Sequence, residues 1–283
     1  MKKKKIIQII LGAGPPFSGD QNSSLKKVSY DTHVLDWTLL ATKFLKPEVH
    51  FVAGYQIDEL VSRYPKLNYT INPNWSSTGP IVSLLETQVA DDAEYIVSYS
   101  DILFREKTIK KLIKLKADVS IAIDTRWKER YSSRSLEDMN QSEKIIVSGD
   151  RLIDSSINVS IQNANAEFIG LIVLKPKVMK FLRDNSNIIL KDMRQANLTR
   201  LLDFLKMHDF KIKVLDVEGE WAELNKTHDL ANFILGTKAQ SLSRLEKIIK
   251  LSKIAPQISF TIADWNKHSE KIIDKIKDKF KSN

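Results

Sequence analysis

Residues 6–11, Ile-Ile-Gln-Ile-Ile-Leu, run straight into Gly12-Ala13-Gly14, and no other stretch constrains the fold as strongly. A short β-branched run stopped by glycines reads as a buried strand entering a turn almost free of side chains. At the carboxyl end of a strand in an open parallel sheet, such a turn lets backbone amides approach a phosphate, and the next helix can assist. The turn is not a P-loop, because no Gly-Lys-Ser/Thr follows, and the third glycine of the dinucleotide fingerprint is absent. Taken alone, it is equally compatible with a purely structural turn.

The rest of the first half repeats this alternation. Spacing predicts helices over 34–45, 57–64, 79–86 and 109–115, and strands over 49–52, 69–71, 95–99 and 119–123, the last counted as the fifth strand. Strands alternating with helices at these intervals predict a mainly parallel sheet with helices on both faces. The middle changes character. Residues 145–147 and 152–153 flank Ser148-Gly149-Asp150-Arg151, a hairpin signal, and 168–174 is a strong strand with Gly170 inside it. Helices over 178–182 and 198–207 and a strand over 212–215 follow. From Leu230 the pattern is helical through Leu251, and Pro256 with 258–262 marks a break before a basic final helix. The expected organisation is one domain over 1–235 and a small helical extension over 236–283.

An apolar content of 42% in 283 residues supports a substantial core. The absence of cysteine excludes disulfides, thiolate metal sites and cysteine nucleophiles, and suits a reducing cytoplasm. His33, His50, His208, His228 and His268 show no metal-ligand spacing, which argues against a histidine zinc site. The apolar run after the lysines at 2–5 stops at Gly12, too short for a signal-peptide core or a membrane span. A cytoplasmic protein without membrane insertion is expected. The net charge of +9 raises the question of a nucleic-acid partner. Much of the excess lies in the initial lysine run and over 267–281, where lysines recur among Ile272, Ile273 and Ile276 as on a solvated helix face. No nucleic acid is expected, and a positive field favours anionic nucleotides and phosphorylated substrates.

Three further elements carry possible chemistry. The loop Asn72-Pro73-Asn74-Trp75-Ser76-Ser77-Thr78-Gly79 leads into Ser83, and its hydroxyls and amides can bond a base edge or a sugar while Gly79 permits close approach. An ordinary capped helix start explains the same residues. Tyr99-Ser100-Asp101 follows a strand directly, placing a carboxylate where it can hold Mg²⁺ against a nucleoside triphosphate; alone, it is also a common turn residue. In Trp221-Ala222-Glu223-Leu224-Asn225, an extended backbone sets Glu223 and Asn225 on one face, able to complete a hard-cation site begun by Asp101. A surface strand end is the competing explanation.

In this order, the segments LGAGPPFSG, SSL, HVLDW, NPNWSSTGPIVSLL, VSYSDILF, IDTRW, AEFIGL and WAELN resemble the MobA-like and sugar-phosphate nucleotidyltransferases over about residues 6 to 240. Within them, the phosphocholine and 2-aminoethylphosphonate cytidylyltransferases are the branch most similar. The resemblance implies a doubly wound, mainly parallel α/β sheet of Rossmann-like form that binds CTP over the first glycine loop. Leu11, Gly12, Ala13 and Gly14 would surround the nucleotide, Ser23 or Ser24 would lie near its phosphates, and Thr78, Gly79 and Ser83 near base and ribose. Asp101, with Glu223 and Asn225, would ligate Mg²⁺, while Arg126, Trp127 and Glu167 would meet a small phosphorylated acceptor. Two departures stand out. The family's arginine after the glycine loop and lysine in a Pro-Lys-x-Leu string read here Pro15-Pro16 and Asn22-Ser23-Ser24-Leu25, and Asn225 replaces a usual aspartate. Lys26, Lys27, Arg126, Lys128 and Arg130 are the cations available to compensate; Arg126 and Lys128 are carried forward with Asp101 as catalytic candidates. Gly236-Thr237-Lys238-Ala239 and the string at 256–261 resemble the junction with an ATP-grasp kinase, one of which phosphorylates glutamine in capsular phosphoramidate synthesis. That implies a kinase domain or partner and admits phosphoglutamine among the acceptors, in surface-polysaccharide, phosphonate or phosphoramidate biosynthesis. Two rival functions remain: a sugar-1-phosphate enzyme using UTP or another NTP, and a catalytically silent domain that binds a nucleotide or a kinase.

Overall fold

In the computed structural model of the protein, residues 5–16, 21–131, 135–224, 227–236, 238–246, 248–260 and 262–280 are described. The chain divides into two compact units, Met1–Thr227 and His228–Asn283. In the first, the strands are β1 (Ile6–Gly12), β2 (Glu48–Ala53), β3 (Asn68–Ile71), β4 (Glu94–Tyr99), β5 (Ile102–Leu103), β6 (Val119–Asp124), β7 (Lys144–Ser148), β8 (Arg151–Asp154), β9 (Ala166–Leu174), β10 (Ile212–Asp216) and β11 (Ala222–Glu223). Nine of them form one sheet in the order β3-β2-β1-β4-β9-β6-β10-β8-β7, and β11 pairs with β5 in a separate ribbon. β1 is parallel to both β2 and β4, β2 to β3, and β6 to β10.

The main difference from the sequence expectation is β9, which lies antiparallel between β4 and β6 in the middle of the sheet. Every residue of β9 is buried, so the strand lacks the polar alternation that hints at orientation. Val119–Asp124 is the sixth strand, because the two-residue β5 precedes it. The hairpin expected around Gly149 forms between β7 and β8.

Alternation along the strands explains why helices cover both faces. Ile7, Ile9, Leu11, Tyr95, Val97 and Ile121 join one core cluster with Ile81, Val178 and Leu201, which lie on the helices Pro80–Leu85, Pro176–Asp184 and Leu198–Met207. On the opposite face Ile96 and Ala122 pack with Ala41, Ile109 and Leu112, from the helices Val34–Thr42 and Glu106–Leu112. Ile10 and Phe51 pack there with Leu35 and Leu60. Such a doubly covered sheet presents its parallel strands' carboxyl ends along one edge, where connecting loops are free to carry chemistry.

The second unit carries the helices Lys238–Glu246 and Ile262–Phe280 and most of Thr227–Leu235. The continuous helical run expected to Leu251 is interrupted near Gly236 and ends at Glu246 among the described residues. No helix among the described residues is long and apolar enough to cross a membrane.

Candidate active site

The carboxyl ends of β1, β2 and β4 converge on the first glycine turn. Leu11 is in register with Tyr99, and the Ser100 amide donates to the Leu11 carbonyl at 3.1 Å. A side chain at Gly12 would place its Cβ 2.9 Å from Ser100 Cβ and against the Phe51 ring. Only glycine permits this approach of the turn to the strand end that carries Asp101. Tyr55 donates its amide to the Ala13 carbonyl at 2.8 Å, so the turn is fixed on its other side as well. Leu11 and Ala13 are buried, while Gly14 is exposed.

Ser23 and Ser24 occupy a short 3₁₀ turn, Ser23–Leu25, capped by Asn22, whose Oδ1 accepts from the Ser24 amide at 3.0 Å. Asn22 in turn donates to the Tyr55 carbonyl at 3.3 Å, tying this turn to the segment beside the glycine loop. The turn ends at Lys26, which donates to the Leu224 carbonyl at 3.0 Å.

Asn72 organises the next loop. It is fully buried, and its Nδ2 donates to Thr78 Oγ1 at 2.9 Å and to Ser83 Oγ at 3.0 Å, while its Oδ1 accepts from the Asn74 amide. Thr78 and Ser83 are thus brought together as expected, through a side chain that the sequence did not distinguish from its neighbours. Gly79 donates its amide to the Arg194 carbonyl at 2.7 Å.

Asp101 and Glu223 meet through the β5–β11 ribbon, in which Glu223 is in register with Ile102 and the Leu224 amide donates to the Asp101 carbonyl at 2.9 Å. Burial and the charge of Glu223 push the Asp101 carboxyl up to about 7; Lys26 and Arg130 pull it the other way. Of the five cations offered by the sequence, these two act on Asp101 most strongly. Two carboxylates this close form a donor set suited to a hard divalent cation, which takes one or two carboxylates and fills its remaining positions with water and substrate phosphate. Asn225, expected as a third ligand, lies outside the described residues. No group of three or more acidic or histidine side chains able to hold a metal is found among the described residues.

Arg130 holds the acidic side of the site together. It donates to Glu167 at 2.6 Å and to Glu223 at 3.2 Å, and its guanidinium stacks over the rings of Trp221 and Tyr131 at 4.2 and 4.7 Å. Tyr131 donates to the other Glu167 oxygen at 2.8 Å. Burial still lifts the Glu167 carboxyl to about 7, with Arg130 opposing and Glu223 adding to the rise. Asp124, at the end of β6, accepts from Trp221 Nε1 at 2.8 Å, the Arg126 amide at 2.9 Å and the Gly219 amide at 3.0 Å, fixing the segment that leads into β11. Glu143 is a further member: Tyr99 donates to it at 2.5 Å, and burial raises its carboxyl to about 8, against that hydrogen bond and with help from the charges of Glu223 and Glu167. Tyr99 can lie there because Gly170, at φ +77° on β9, leaves room for its ring.

The remaining expected residues fall elsewhere. Arg126 is exposed, and its Nε donates to Glu129 at 3.0 Å. Lys128 is exposed and sits over the Trp127 ring at 5.4 Å. Trp127, expected against the acceptor, is instead buried with Tyr131, Val159 and Ala164. Its apolar bulk supports the Arg130–Tyr131 segment from beneath. The sequence alone did not mark Tyr99, Glu143, Asp124 or Tyr131 as site residues; Tyr99, two residues before Asp101, and Asp124, inside the IDTRW segment, stood in stretches already singled out, whereas Glu143 and Tyr131 did not.

No protein-family model matches the chain. Over 245 residues it is 22% identical to the CTP:phosphoglutamine cytidylyltransferase of Campylobacter jejuni, covering 78% of this chain and 96% of that protein. Among solved structures, it is similar to the inositol-1-phosphate CTP transferase of T. maritima, with a TM-score of 0.62 at 16% identity over 88% of this chain and 98% of the other. The CTP:phosphocholine cytidylyltransferase of Streptococcus pneumoniae aligns with a TM-score of 0.53 at 14% identity over 87% and 100%. The chain therefore shares the fold of these nucleotidyltransferases. In this chain the glycine turn and the strand-end aspartate lie side by side, and the charges of Lys26 and Arg130 act on that aspartate.

Proposed function

We propose that this nucleotidyltransferase transfers CMP from CTP to a small phosphorylated acceptor, using Mg²⁺ and releasing pyrophosphate. The observation that carries the reading is the contact between Gly12 and Ser100, which puts a turn free of side chains beside the Asp101–Glu223 carboxylate pair. The choice of CTP is supported by the Campylobacter jejuni and Streptococcus pneumoniae enzymes, whose names specify it.

In this reading the turn at 12–14 receives the triphosphate through its backbone, and Ser23 and Ser24 flank the phosphates. Thr78 and Ser83, held by Asn72, face base and ribose. Asp101 and Glu223 would hold Mg²⁺, which would supply positive charge against the phosphate oxygens. An acceptor phosphate oxygen attacks the α-phosphorus in line, the bond from that phosphorus to the bridging oxygen breaks, and pyrophosphate departs with the electron pair. The attacking oxygen is already ionised near neutral pH, so the chain needs no general base. Lys26 and Arg130 contribute by alignment and charge compensation.

The test is a pyrophosphate-release assay that crosses four NTPs with phosphocholine, 2-aminoethylphosphonate, phosphoglutamine and sugar 1-phosphates in the presence of Mg²⁺. Release confined to CTP and dependent on Asp101 supports the proposal; preference for UTP with a sugar 1-phosphate replaces it with the sugar-nucleotide reading. NTP binding without release under any pairing leaves a silent binding domain.

A further inference from the structure

Where β10 pairs with β8, a cavity of about 390 Å³ opens between the start of β10 and the turn that leads into β8. Its volume falls in the range of small-molecule sites, about 300–1,000 Å³. β10 begins opposite Val119 at this end, and its other end, Asp216, accepts from the Thr125 amide beside Asp124. Four residue steps at about 3.3 Å each separate the two ends by roughly 13 Å. The cavity therefore lies at the opposite end of the strand from the carboxylate site.

Its charge is one-sided. Arg151, Lys206, Lys211 and Lys213 line it against a single carboxylate, Asp150, so four positive charges less one negative leave three uncompensated. Asp150 pairs with Lys213. Lys206 donates to the Ile153 carbonyl, a neutral acceptor that leaves its charge in place. Arg151 and Lys211 are exposed, and among the described residues their side chains form no hydrogen bond or ion pair. Arg151 stands directly across from Lys213 in the antiparallel β8–β10 pair, where like charges face each other at a cost. Asp118, the next carboxylate at this end of the sheet, is already engaged by Lys177 and by the Lys211 amide. Phe210, packed against Phe181 with ring centroids 5.0 Å apart, gives the wall an apolar part.

We propose that this cavity is a second binding site, for a small organic phosphate monoester, with Arg151, Lys206 and Lys211 on the phosphate and Phe210 against the organic part. A single carboxylate would leave most of the surplus charge unmatched. A phosphate monoester carries close to two negative charges and three strong acceptor oxygens, enough for a guanidinium fork and two ammonium groups. Inorganic phosphate would meet the cations and leave the apolar wall uncovered. A nucleic-acid strand calls for a basic stripe along a surface, whereas these cations converge on one concavity. The site stands apart from the nucleotidyltransfer reading, since it shares no residue with the glycine turn or the carboxylate pair.

Amide NMR on the isotope-labelled full chain tests the site with three probes. Phenyl phosphate supplies a ring and a dianion, benzoate the same ring with one charge, and inorganic phosphate the anion without the ring. Phenyl phosphate should shift the amides over 150–153 and 210–213 and bind there about tenfold more tightly than either other probe, the scale of one charge-assisted hydrogen bond. Arg151→Gln combined with Lys211→Gln removes two exposed, unpaired cations, so the fold should be retained. The double variant should weaken phenyl phosphate at these segments by about a hundredfold, one factor of ten for each cation, and leave any shifts at Gly12 and Gly14 as in the wild type. Those glycine shifts report the nucleotide site separately, so failure of one site is not read as failure of the other. Absence of shifts at the two segments, equal affinity for benzoate or inorganic phosphate, or binding untouched by the double variant overturns the proposal. Tighter binding of a single-stranded oligonucleotide at the same segments overturns it in favour of a nucleic-acid surface.

Discussion

Arg130 donates to Glu167 at 2.6 Å in an ion pair whose side chains are only 12% and 3% exposed. An ion pair this far from water is a poor source of net stability, because both charges lose hydration, but it is sensitive to the loss of either member. The same guanidinium also reaches Glu223, so it links the β9 edge of the site to the carboxylate beside Asp101. Arg130→Met should destabilise the fold by about 3–5 kcal/mol, the range for uncovering a buried charge. Combining it with Glu167→Gln should recover much of that loss. Denaturant titrations of the two single variants and the double variant check this; additive losses would show that the two residues do not act as a pair.

Three carboxyls, Glu167 buried and Asp101 and Glu143 half-buried, are pushed above their ordinary range: Asp101 and Glu167 to about 7, and Glu143 to about 8, each first by loss of hydration. A carboxyl raised in the folded state binds its proton more tightly there than in the unfolded chain. Its stabilising contribution is complete below the unfolded value near 4 and is lost as pH rises through the folded value. The metal-free protein should therefore lose stability steadily between about pH 5 and pH 8, the opposite of the trend expected from carboxylates held down by ion pairs. Denaturation midpoints in the presence of a chelator, measured across that window, would contradict this if they were flat or rising.

How far the sequence disclosed these features depended on range. β1 and β6 were legible because short β-branched runs bounded by turns have few other readings, and the helix over 198–207 matched Leu198–Met207 because its apolar spacing is strong. The direction of β9 was not legible, since a strand buried at all nine positions looks alike for either orientation. β5 and β11 are two residues long and leave no periodicity, although their pairing is what joins Glu223 to Asp101. Glu143 sits between Ser142 and Lys144 in a polar stretch that reads as solvated surface; the pairing of Lys144 with Glu167 across β7 and β9, and the Phe168 amide donating to the Glu143 carbonyl, draw it to the site. Among five candidate cations, sequence could not select Lys26 and Arg130, because the selection is made by contacts with residues about a hundred or more positions away.

Asp101 is a site at which activity and stability should oppose one another. Its charge is held beside Glu223 in a confined position, where an isosteric amide would relieve both burial and repulsion. Asp101→Asn should raise the unfolding midpoint of the metal-free protein at pH 8. If the carboxylate holds the divalent cation, the same change should slow pyrophosphate release by about 10²- to 10³-fold, the scale for losing one strong transition-state contact. A variant that is more stable and equally active would separate the buried charge from catalysis.

Gly12 and Gly14 should respond differently to the same substitution. Alanine at Gly12 forces its Cβ against the Phe51 ring and within 2.9 Å of Ser100 Cβ, so either β2 or the strand end carrying Asp101 must shift. Overpacking of this kind costs about 1–3 kcal/mol, and the displaced Asp101 should reduce turnover as well. Gly14 has open space where a Cβ would project. Gly14→Ala should leave the unfolding midpoint nearly unchanged, and any effect should appear in nucleotide affinity, because the new methyl narrows the approach of the triphosphate to the turn. Thermal unfolding and equilibrium NTP binding on the two variants distinguish these cases. Equal destabilisation by both would mean that the turn is a packing element throughout, and unchanged NTP binding in both would remove the turn from the nucleotide site.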